Sequence, residues 1–142
     1  NRKIELKPAR KEDAADVWRW RNEKATRMNS FNTRVIPLKD HMAWFGKALK
    51  DGKKKILVIY NKGRKIGFVR VDSNGEKEMH IAIGRKYRGL GFGSRVIRMA
   101  CELAGGKTTA KIKPSNIASI KAFERAGFSV LRKGRELVTL VS

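Results

Sequence analysis

The sequence predicts a single α/β domain in which helices flank a mixed β-sheet. The chain has 142 residues, which is the usual size of one domain with its own core. Hydrophobic residues make up 41% of the chain, so a disordered protein is not expected despite its charge. Segments with strand and helix patterns alternate in the order β-α-α-β-β-β-α-β-α-β-β, and such a mixture packs as helices against a sheet.

The first half begins with a short strand and two helices. Residues 4–9 predict a strand, which Pro8 ends. A helix is predicted from Lys11 to about Lys24, because apolar residues recur at helical spacing and two acids lie in the first turn. A second helix follows Pro37, with an apolar face over residues 38–49. The predicted face of the first helix carries Ala14, Val17, Trp18 and Arg21.

The remainder of the chain alternates strands with two more helices. Strands are predicted at 55–60, 66–71 and 79–83, separated by turns at 61–65 and 73–76. The later elements are a helix over 96–104, a strand at 108–112, a helix at 116–126 and a last strand at 137–141. The sequence contains no internal repeat, and no linker divides it.

The charge of the chain is strongly positive. Lys and Arg number 34 against 13 Asp and Glu, which gives a formal net charge of +21. At least 21 cations therefore have no acidic partner within the chain. Such an excess attracts anions, whether nucleotide phosphates, nucleic acid or an acidic surface. Composition alone leaves these three kinds of partner open.

Other features exclude several classes of protein. The longest apolar run, residues 56–60, is too short to span a bilayer. The single cysteine, Cys101, excludes an internal disulfide and favours a cytoplasmic location. Cys101 and the two histidines, His41 and His80, are too scattered in the sequence to indicate a metal site. We therefore expect neither a membrane span nor a metal ion.

The stretch "GRKYRGLGFGSRVIRMA", residues 84–100, sets glycines at every second position before a helical pattern. A helix N-terminus offers N–H groups to an anion, and Gly89, Gly91 and Gly93 would let the anion reach them. Leu90 stands where a Walker A loop needs Lys, and the glycine spacing breaks the dinucleotide fingerprint. We predict a different phosphate-binding turn. A ligand-free connection is the alternative, and a carboxylate of the protein seated on these amides would exclude the phosphate.

A second segment, "KPSNIASIKAFERAGFSV" at 113–130, reads N-x-x-S-x-x-x-F-E-x-A-G-F. Together with R-x-x-G-x-G at Arg88, Gly91 and Gly93, it resembles the GNAT superfamily of acyl-CoA N-acyltransferases, and the order of elements agrees over the whole chain. The resemblance implies one α+β domain over residues 1–142, with a mostly antiparallel, splayed sheet of six or seven strands and about four helices. It also implies acetyl-CoA as the cosubstrate.

The N-terminal half is similar to one branch of that superfamily. "DAADVWRWRNEKATRMNSFNT" at 13–33 and "IPLKDHMAWF" at 36–45 follow a W-R-N…HxxWF pattern. That pattern occurs in acetyltransferases of amino sugars attached to nucleotides and in relatives that acetylate ribosomal-protein N-termini. The resemblance implies direct attack of an amine on the thioester, with an anionic amino-sugar nucleotide as acceptor and a protein N-terminus as the alternative. A non-catalytic, basic nucleic-acid-binding module is the alternative of another class, and monomer and homodimer both stay open.

The resemblance places the donor between the glycine-rich turn and the central strands. The coenzyme A pyrophosphate would lie on the N–H groups from Arg88 to Ser94, and strand 79–83 would splay from its neighbour. Backbone groups of Ile81 and Ile83 would pair with the pantetheine arm. Asn116 would hydrogen-bond that arm, although Asn is also a common helix N-cap. The implied donor-binding residues are Ile81, Ala82, Ile83, Arg88, Gly89, Leu90, Gly91, Phe92, Gly93, Ser94, Asn116, Ser119 and Phe123.

The proton donor and the base are the least defined parts of the resemblance. The family often has a Tyr proton donor where this chain has Phe123, which leaves the acid unassigned between Tyr87, Tyr60 and water. A thiol of pKa near 8.5 leaves as thiolate at pH 7 at a cost of about 2 kcal/mol, so this loss need not abolish the reaction. Glu78 and His80, on the same face of the central strand, are the candidate bases, and a polar strand face is their alternative role.

Five residues of the N-terminal half are candidate acceptor-binding residues: Arg21, Asn22, Phe31, His41 and Trp44. Arg21 is the hardest of them to explain as core and could meet an anionic group. Trp18 and Trp20 cannot face the same way on one helix, so one is core and the other lies at a cleft or an interface. A low-pKa amine is favoured as acceptor, because an α-amine is about 14% neutral at pH 7 and a lysine about 0.04%.

Overall fold

The computed structural model describes residues 3–142. Its strands are β1 Ile4–Pro8, β2 Lys54–Asn61, β3 Arg64–Asn74, β4 Glu76–Ile83, β5 Thr108–Ile112, β6 Ser129–Lys133 and β7 Val138–Val141. Its helices are α1 Ala14–Asn22, α2 Lys24–Met28, α3 Leu38–Lys50, α4 Phe92–Ala104 and α5 Ile117–Arg125. The strands form one sheet in the order β1-β2-β3-β4-β5-β7-β6. The predicted mixed sheet with flanking helices is confirmed. Within the described residues, every helix is too short or too polar to cross a membrane.

The sheet is divided by a gap between its two parallel strands. All neighbouring strands are antiparallel except β4 and β5, which pair only at Lys77 with Thr108 and at Glu78 with Thr109 among the described residues. Beyond Glu78, β4 stays paired with β3 as far as Ile83, whereas β5 pairs along its length with β7. The sheet therefore opens between β4 and β5, and the predicted splay is confirmed.

Two apolar layers hold the helices on the sheet, one on each face. Side chains alternate between the two faces along each strand. On one face Val69 packs with Val96 of α4 and Phe123 of α5 in one buried cluster. On the other face Phe68 packs with Val17 of α1 and with residues of α3. Both layers border the gap, because β4 contributes side chains to each of them.

The N-terminal helical region differs from the single helix predicted over residues 11–24. Lys11–Asp13 forms a 3₁₀ turn, and Glu23 has extended backbone angles (φ −58°, ψ 137°) that separate α1 from the short α2. The predicted helix thus ends at Asn22, close to its expected end, whereas the 3₁₀ start and the separate helix α2 were not predicted. Glu is a good helix former, so the break has no local cause. It follows instead from the contacts of the Glu23 carboxylate with a distant loop, described below.

The two neighbouring tryptophans of α1 face different ways, as predicted. Trp20 is 7% exposed and stacks on Phe68 with the ring centroids 6.3 Å apart. Trp18 lies nearer the surface and donates its indole N–H to the Ile36 carbonyl at 2.8 Å. The core face of α1 therefore carries Ala14, Val17 and Trp20. The predicted face was wrong in placing Trp18 and Arg21 there, because three residues after Val17 the helix brings Trp20 over the sheet.

Candidate active site

The gap between β4 and β5 leaves one edge of β4 without a strand partner. Gly84 donates its N–H to the Ile66 carbonyl of β3 at 2.7 Å. Because backbone groups alternate along an antiparallel pair, those of Ala82 also face β3, and those of Ile81 and Ile83 face the gap. A ligand in the gap could therefore pair with Ile81 and Ile83 as a strand would. The predicted donor contact of Ala82 is corrected, since its backbone groups belong to the β3 ladder.

The three glycines of the predicted phosphate turn do different things. Gly89 and Gly91 have φ angles of 75° and 84°, which other residues adopt only at a cost. A Cβ at either position would meet no atom within 4 Å, so both face open space. At Gly93, in the first turn of α4, a Cβ would lie 3.3 Å from the Ala122 Cβ. The first two glycines shape an open turn, and the third lets α4 approach α5.

The turn leads directly into α4, which begins after Gly91. The first turn of a helix presents N–H groups that lack intrahelical partners, and its dipole favours an anion there. Leu90 is 52% exposed at the turn, whereas Phe92 is 4% exposed and anchors the helix start in the core. Among the described residues, no carboxylate is hydrogen-bonded to the amides of residues 89–91 or 93–94. The turn therefore has the shape and polarity of an anion site.

Arg88, which the resemblance assigned to the donor phosphate, is bound largely to the protein itself. Its Nε donates to the Ile83 carbonyl at 2.9 Å, and its Nη2 donates to Glu23 Oε1 at 2.5 Å and Thr26 Oγ1 at 3.2 Å. Glu23 also accepts the N–H of Arg85, at 3.1 and 3.3 Å. A guanidinium has five N–H donors, so a phosphate contact would be left to the Nη1 pair. Arg88 mainly fixes the start of the turn.

Asn116, Ser119 and Phe123 lie on the other side of the gap, at α5. Asn116 Oδ1 accepts the Ser119 N–H at 3.3 Å, which is the N-cap contact. That contact uses the carbonyl oxygen and leaves the two amide donors of Asn116 for a ligand. Phe123 is 2% exposed and packs edge-on against Phe128 with the ring centroids 4.9 Å apart. Phe123 is thus a core residue with almost no surface to offer a donor.

Polar side chains of three central strands meet on the α1 and α3 side of the sheet, and we call this group the polar face. His80 Nε2 lies 3.2 Å from Glu78 Oε2 and 3.5 Å from Asp72 Oδ2. Lys111 Nζ lies 3.7 Å from Glu78 Oε1, and Arg70 Nε donates to Asp72 Oδ1 at 3.1 Å. Glu78 and His80 share one face, as predicted. The group stands where β4 separates from β5.

The environment of His80 favours the neutral form of its imidazole. Burial and the nearby Arg70 guanidinium lower the pKa of His80, whereas Glu78 and Asp72 act in the opposite direction. The net effect is a lowered pKa, so the imidazole is neutral at pH 7. Because Nε2 faces two carboxylates, the N–H is assigned to Nε2 and the lone pair to Nδ1. The Glu78–His80 pair therefore has one carboxylate and one neutral imidazole for proton transfer.

Arg21 and Trp44 come together with Arg70 beside the polar face. The Arg21 guanidinium carbon lies 4.1 Å from the centroid of a Trp44 ring, and that of Arg70 lies 5.6 Å from it. Burial and the Arg70 charge lower the pKa of Arg21 to about 10, so Arg21 is still cationic at pH 7. Within residues 3–142 no carboxylate forms an ion pair with Arg21. Its charge is thus available to an anion from outside.

His41 is a core residue that positions Arg21. It is 0% exposed, and its Nε2–H donates to the Ala14 carbonyl at 2.8 Å. Its Nδ1 accepts from Arg21 Nη1 at 2.9 Å, and its ring stacks on Phe45 with the centroids 5.5 Å apart. The predicted contact of His41 with an acceptor is corrected, because the ring is fully buried and both nitrogens are used.

The stability of the fold is expected to fall in acid because of His41. Burial lowers the pKa of His41 below its ordinary value of 6.5, and the Arg21 charge acts in the same direction. The unfolded chain then binds the proton more readily, so this contribution is complete above pH 6.5 and is lost as the pH falls through the lowered folded pKa. We expect the melting temperature from circular dichroism to drop between about pH 7.5 and about pH 5, and to drop less in His41→Gln.

His80→Gln is the matched control for this measurement. The pKa of His80 is also lowered, so this variant should remove its own part of the acid loss. The two histidines are the only ones in the chain, so the double variant should lose little stability over this pH range. An acid loss in His41→Gln as large as in the wild-type protein would contradict the role of His41.

Asn22 and Phe31 lie outside the Arg21 cluster. Asn22 Nδ2 donates to the Ile36 carbonyl at 2.9 Å, and its Oδ1 accepts the Ile36 N–H at 2.7 Å. Asn22 therefore binds Ile36, the last residue of the segment 29–36, to α1. Phe31 is 63% exposed on that segment and borders an open pocket of about 430 Å³. The pocket is lined by Phe31, Lys113, Pro114, Ser115, Arg135 and Glu136.

Three residues of the candidate site have no place in the sequence prediction: Glu23, Arg70 and Asp72. A signal for two of them exists in the hairpin turn predicted at 73–76. Counting back from that turn places Asp72 opposite Glu78 and Arg70 opposite His80. The β3–β4 register shows the same pairs. Glu23 has no comparable signal, because its partners lie 62 and 65 residues away in the sequence.

An opened sheet with a glycine-rich turn at the start of a helix is the arrangement that the resemblance to acyl-CoA-dependent acyltransferases implies. The family model of the acetyltransferase (GNAT) domain matches residues 3–129. The chain therefore belongs to the GNAT acetyltransferase family and is an acetyl-CoA-dependent N-acetyltransferase. No curated protein matches the sequence. Among residues 3–142, no group of three or more His, Cys, Asp or Glu side chains is placed to hold a metal ion.

Solved structures share the fold along almost the entire chain. A domain from Methanocaldococcus jannaschii is 24% identical, with a TM-score of 0.79, and the match covers 100% of this chain and 99% of that one. The spermidine N-acetyltransferase from Vibrio cholerae, in complex with CoA and spermine, is 16% identical (TM-score 0.86; coverage 98% and 94%). The aminoglycoside acetyltransferase AAC(6')-Ib, in complex with coenzyme A, is 17% identical (TM-score 0.83; coverage 99% and 94%). At these identities the likeness is one of fold.

Proposed function

We propose that this N-acetyltransferase acts on the primary amine of a small anionic acceptor, an amino sugar attached to a nucleotide. The acceptor amine attacks the thioester carbonyl carbon, a C–N bond forms and the C–S bond breaks. The proton released by the amine passes to the Glu78–His80 pair, and the departing thiolate takes a proton from water. The buried Phe123 has no role in that last step.

The observation that carries this proposal is the uncompensated charge of Arg21. A half-buried guanidinium without a carboxylate partner is costly unless an anion meets it when the site is in use. Trp44 and His41 hold its position, and Arg70 links it to His80 through the β3–β4 register. A phosphate bound at Arg21 would therefore hold an acceptor beside the candidate base.

The net charge of +21 argues against a polycationic acceptor. The Vibrio cholerae neighbour was solved with spermine, and the other neighbour acts on aminoglycosides. Both classes carry several amino groups that this chain would repel at long range. We therefore do not transfer their acceptors to this chain, although the fold is shared.

A protein N-terminus is the second candidate acceptor, and the pocket at Phe31 favours it. The pocket of about 430 Å³ is open and has an exposed aromatic ring beside Lys113 and Arg135. An acidic N-terminal peptide could lie along such a surface. Both candidate acceptors present an amine of lower pKa than that of lysine, so a larger fraction of the amine is neutral at pH 7.

A screen of acceptors tests the proposal. The wild-type protein is incubated with acetyl-CoA and one of four acceptor classes, namely nucleotide-linked amino sugars, N-terminal peptides, polyamines and aminoglycosides, and thiol release is measured. We expect turnover with a nucleotide-linked amino sugar and none with polyamines. Turnover restricted to peptides would support the second candidate, and turnover restricted to polyamines or aminoglycosides would refute an anionic acceptor.

Replacing Arg21 should weaken binding of the acceptor and leave binding of the donor unchanged. We expect Arg21→Gln to raise the KM for an anionic acceptor about tenfold or more, because a charge-assisted hydrogen bond is worth about 1.5–3 kcal/mol. Arg21→Lys should not restore the KM, since the ammonium lacks the planar fork. Steady-state kinetics with each substrate varied in turn measure both constants.

Arg19→Gln is the matched control, because Arg19 lies on the same helix and binds Asp16 at the surface. It removes the same charge and should leave the acceptor KM within about twofold of wild type. Equal effects of the two substitutions would show that the acceptor responds to net charge and not to the Arg21 site.

A further inference from the structure

Glu23 connects two parts of the molecule that are far apart in the sequence. It lies at the junction of α1 and α2, where its backbone is extended. Its carboxylate reaches the glycine-rich turn, binding the Arg88 guanidinium at 2.5 Å and the Arg85 N–H at 3.1 and 3.3 Å. The side chains of Glu23 and Arg88 are 27% and 34% exposed, so the pair is partly screened from water.

This contact fixes the turn at its start. Gly84 is held to β3, Arg85 to Glu23, and Arg88 to both Glu23 and the Ile83 carbonyl. Gly89 follows at once, in its left-handed conformation. A glycine-rich segment loses much conformational entropy when it is ordered, so fixing its first residues lowers the cost of ordering the rest.

The same contact reaches toward the other side of the gap through α2. Thr26 of α2 accepts a hydrogen bond from Arg88, and the carbonyl of Met28, at the end of α2, accepts one from Lys113 at 3.0 Å. Lys113 directly follows β5, on the far side of the gap. The short helix α2 thus bridges the gap. The glycine-rich turn lies at one end of α2, and the pocket of Phe31 lies at the other.

We propose that Glu23 is a positioning residue for the acyl donor. By holding Arg85 and Arg88, its carboxylate sets the shape of the turn from Gly84 to Gly91 before acetyl-CoA binds. Through the hydrogen bond of Arg88 to Thr26 it also ties that turn to α2, whose last residue binds Lys113 on the far side of the gap. This inference rests on acetyl-CoA as the donor and is independent of the acceptor proposed above.

The sign of the effect separates positioning from simple electrostatics. A carboxylate near a pyrophosphate repels it, so if charge alone mattered, Glu23→Gln would bind acetyl-CoA more tightly. If positioning matters, the neutral amide loses the charge-assisted contacts with Arg88 and the turn becomes less ordered. We expect the Kd for acetyl-CoA, measured by isothermal titration calorimetry, to rise about tenfold.

A double-mutant cycle tests whether the effect runs through Arg88. We expect Arg88→Gln to raise the Kd for acetyl-CoA by a similar factor. The double variant Glu23→Gln/Arg88→Gln should have a Kd no higher than that of the weaker-binding single variant. Hydrogen exchange of the amides from Gly84 to Gly91 should be faster in Glu23→Gln without acetyl-CoA. Exchange in the β2–β3 hairpin should match the wild-type protein.

Glu12→Gln is the matched control. Glu12 forms an exposed ion pair with Arg10, and its substitution removes the same charge as Glu23→Gln does. Its Kd should stay within about twofold of wild type. Should Glu23→Gln fold poorly, Thr26→Val removes the other α2 contact of Arg88, and we expect it to raise the Kd about threefold. An unchanged or lower Kd in Glu23→Gln, or in Thr26→Val where the first variant fails, would overturn the proposal. Since donor binding needs no acceptor, a wrong acceptor leaves this test intact.

Discussion

Gly91→Val is expected to abolish most of the affinity for acetyl-CoA while leaving the fold intact. Gly91 has a φ of 84° and faces open space at the start of α4, so its Cβ would meet no protein atom. A branched side chain would instead occupy the space in which the family resemblance places the diphosphate. Loss of two charge-assisted hydrogen bonds at about 1.5 kcal/mol each corresponds to about a 100-fold rise in Kd. Calorimetry with acetyl-CoA measures it directly.

Gly63→Val is a closely matched control for backbone strain. Gly63 has a φ of 79°, faces open space and lies in the turn between β2 and β3. Forcing valine into the left-handed region costs about 1–2 kcal/mol at either site, so both variants should lose similar melting temperature. Normal donor affinity in a folded Gly91→Val variant would contradict the placement of the diphosphate at this turn.

Glu78→Gln and His80→Gln are expected to have the largest effects on turnover. Positioned acid–base groups contribute about 10²–10⁴-fold, and the two side chains lie 3.2 Å apart. We expect each substitution to lower kcat by about 10²-fold, and the double variant to be little worse than either single one. Glu76→Gln is the control, because it removes the same charge from an exposed position on the same strand.

The pH dependence of kcat distinguishes the roles of the two residues. The pKa of His80 is lowered, so at pH 7 the imidazole is neutral, and kcat should fall only as the pH drops through that lowered value, below 6.5. Glu78 opposes this lowering, so Glu78→Gln should move the fall to still lower pH. An unshifted profile, or kcat values within about threefold of wild type in both single variants, would show that neither group is the base.

Local patterns in the sequence were sufficient for most elements of the fold. Strand alternation and short turns locate the central hairpins, and helical spacing locates α3, α4 and α5. The break at Glu23 could not be predicted in this way. It depends on partners that become neighbours only after β4 and the turn have folded against α1. Local propensity there favours a continuous helix, and tertiary contacts override it.

The residues of the candidate site that could be predicted are those that belong to a recognisable local sequence pattern. The glycines of the turn are recognisable because a helix follows them, and Glu78 and His80 because a strand alternates. His41 and Trp44 are different, since nothing in their spacing says which is buried. Only packing shows that His41 lies beneath Arg21 and bonds to it, whereas Trp44 lies against both arginines.

The gap between β4 and β5 also leaves strand backbone groups unpaired inside the sheet. An ordinary open sheet has two unpaired borders, whereas here β4 and β5 add an inner pair. Unpaired borders are templates for foreign strands, and natural proteins usually cover or charge them. An acetyl-CoA molecule whose pantetheine arm lies along β4 would cover this inner edge. Binding of the cosubstrate would then also protect the protein against the addition of foreign strands and aggregation.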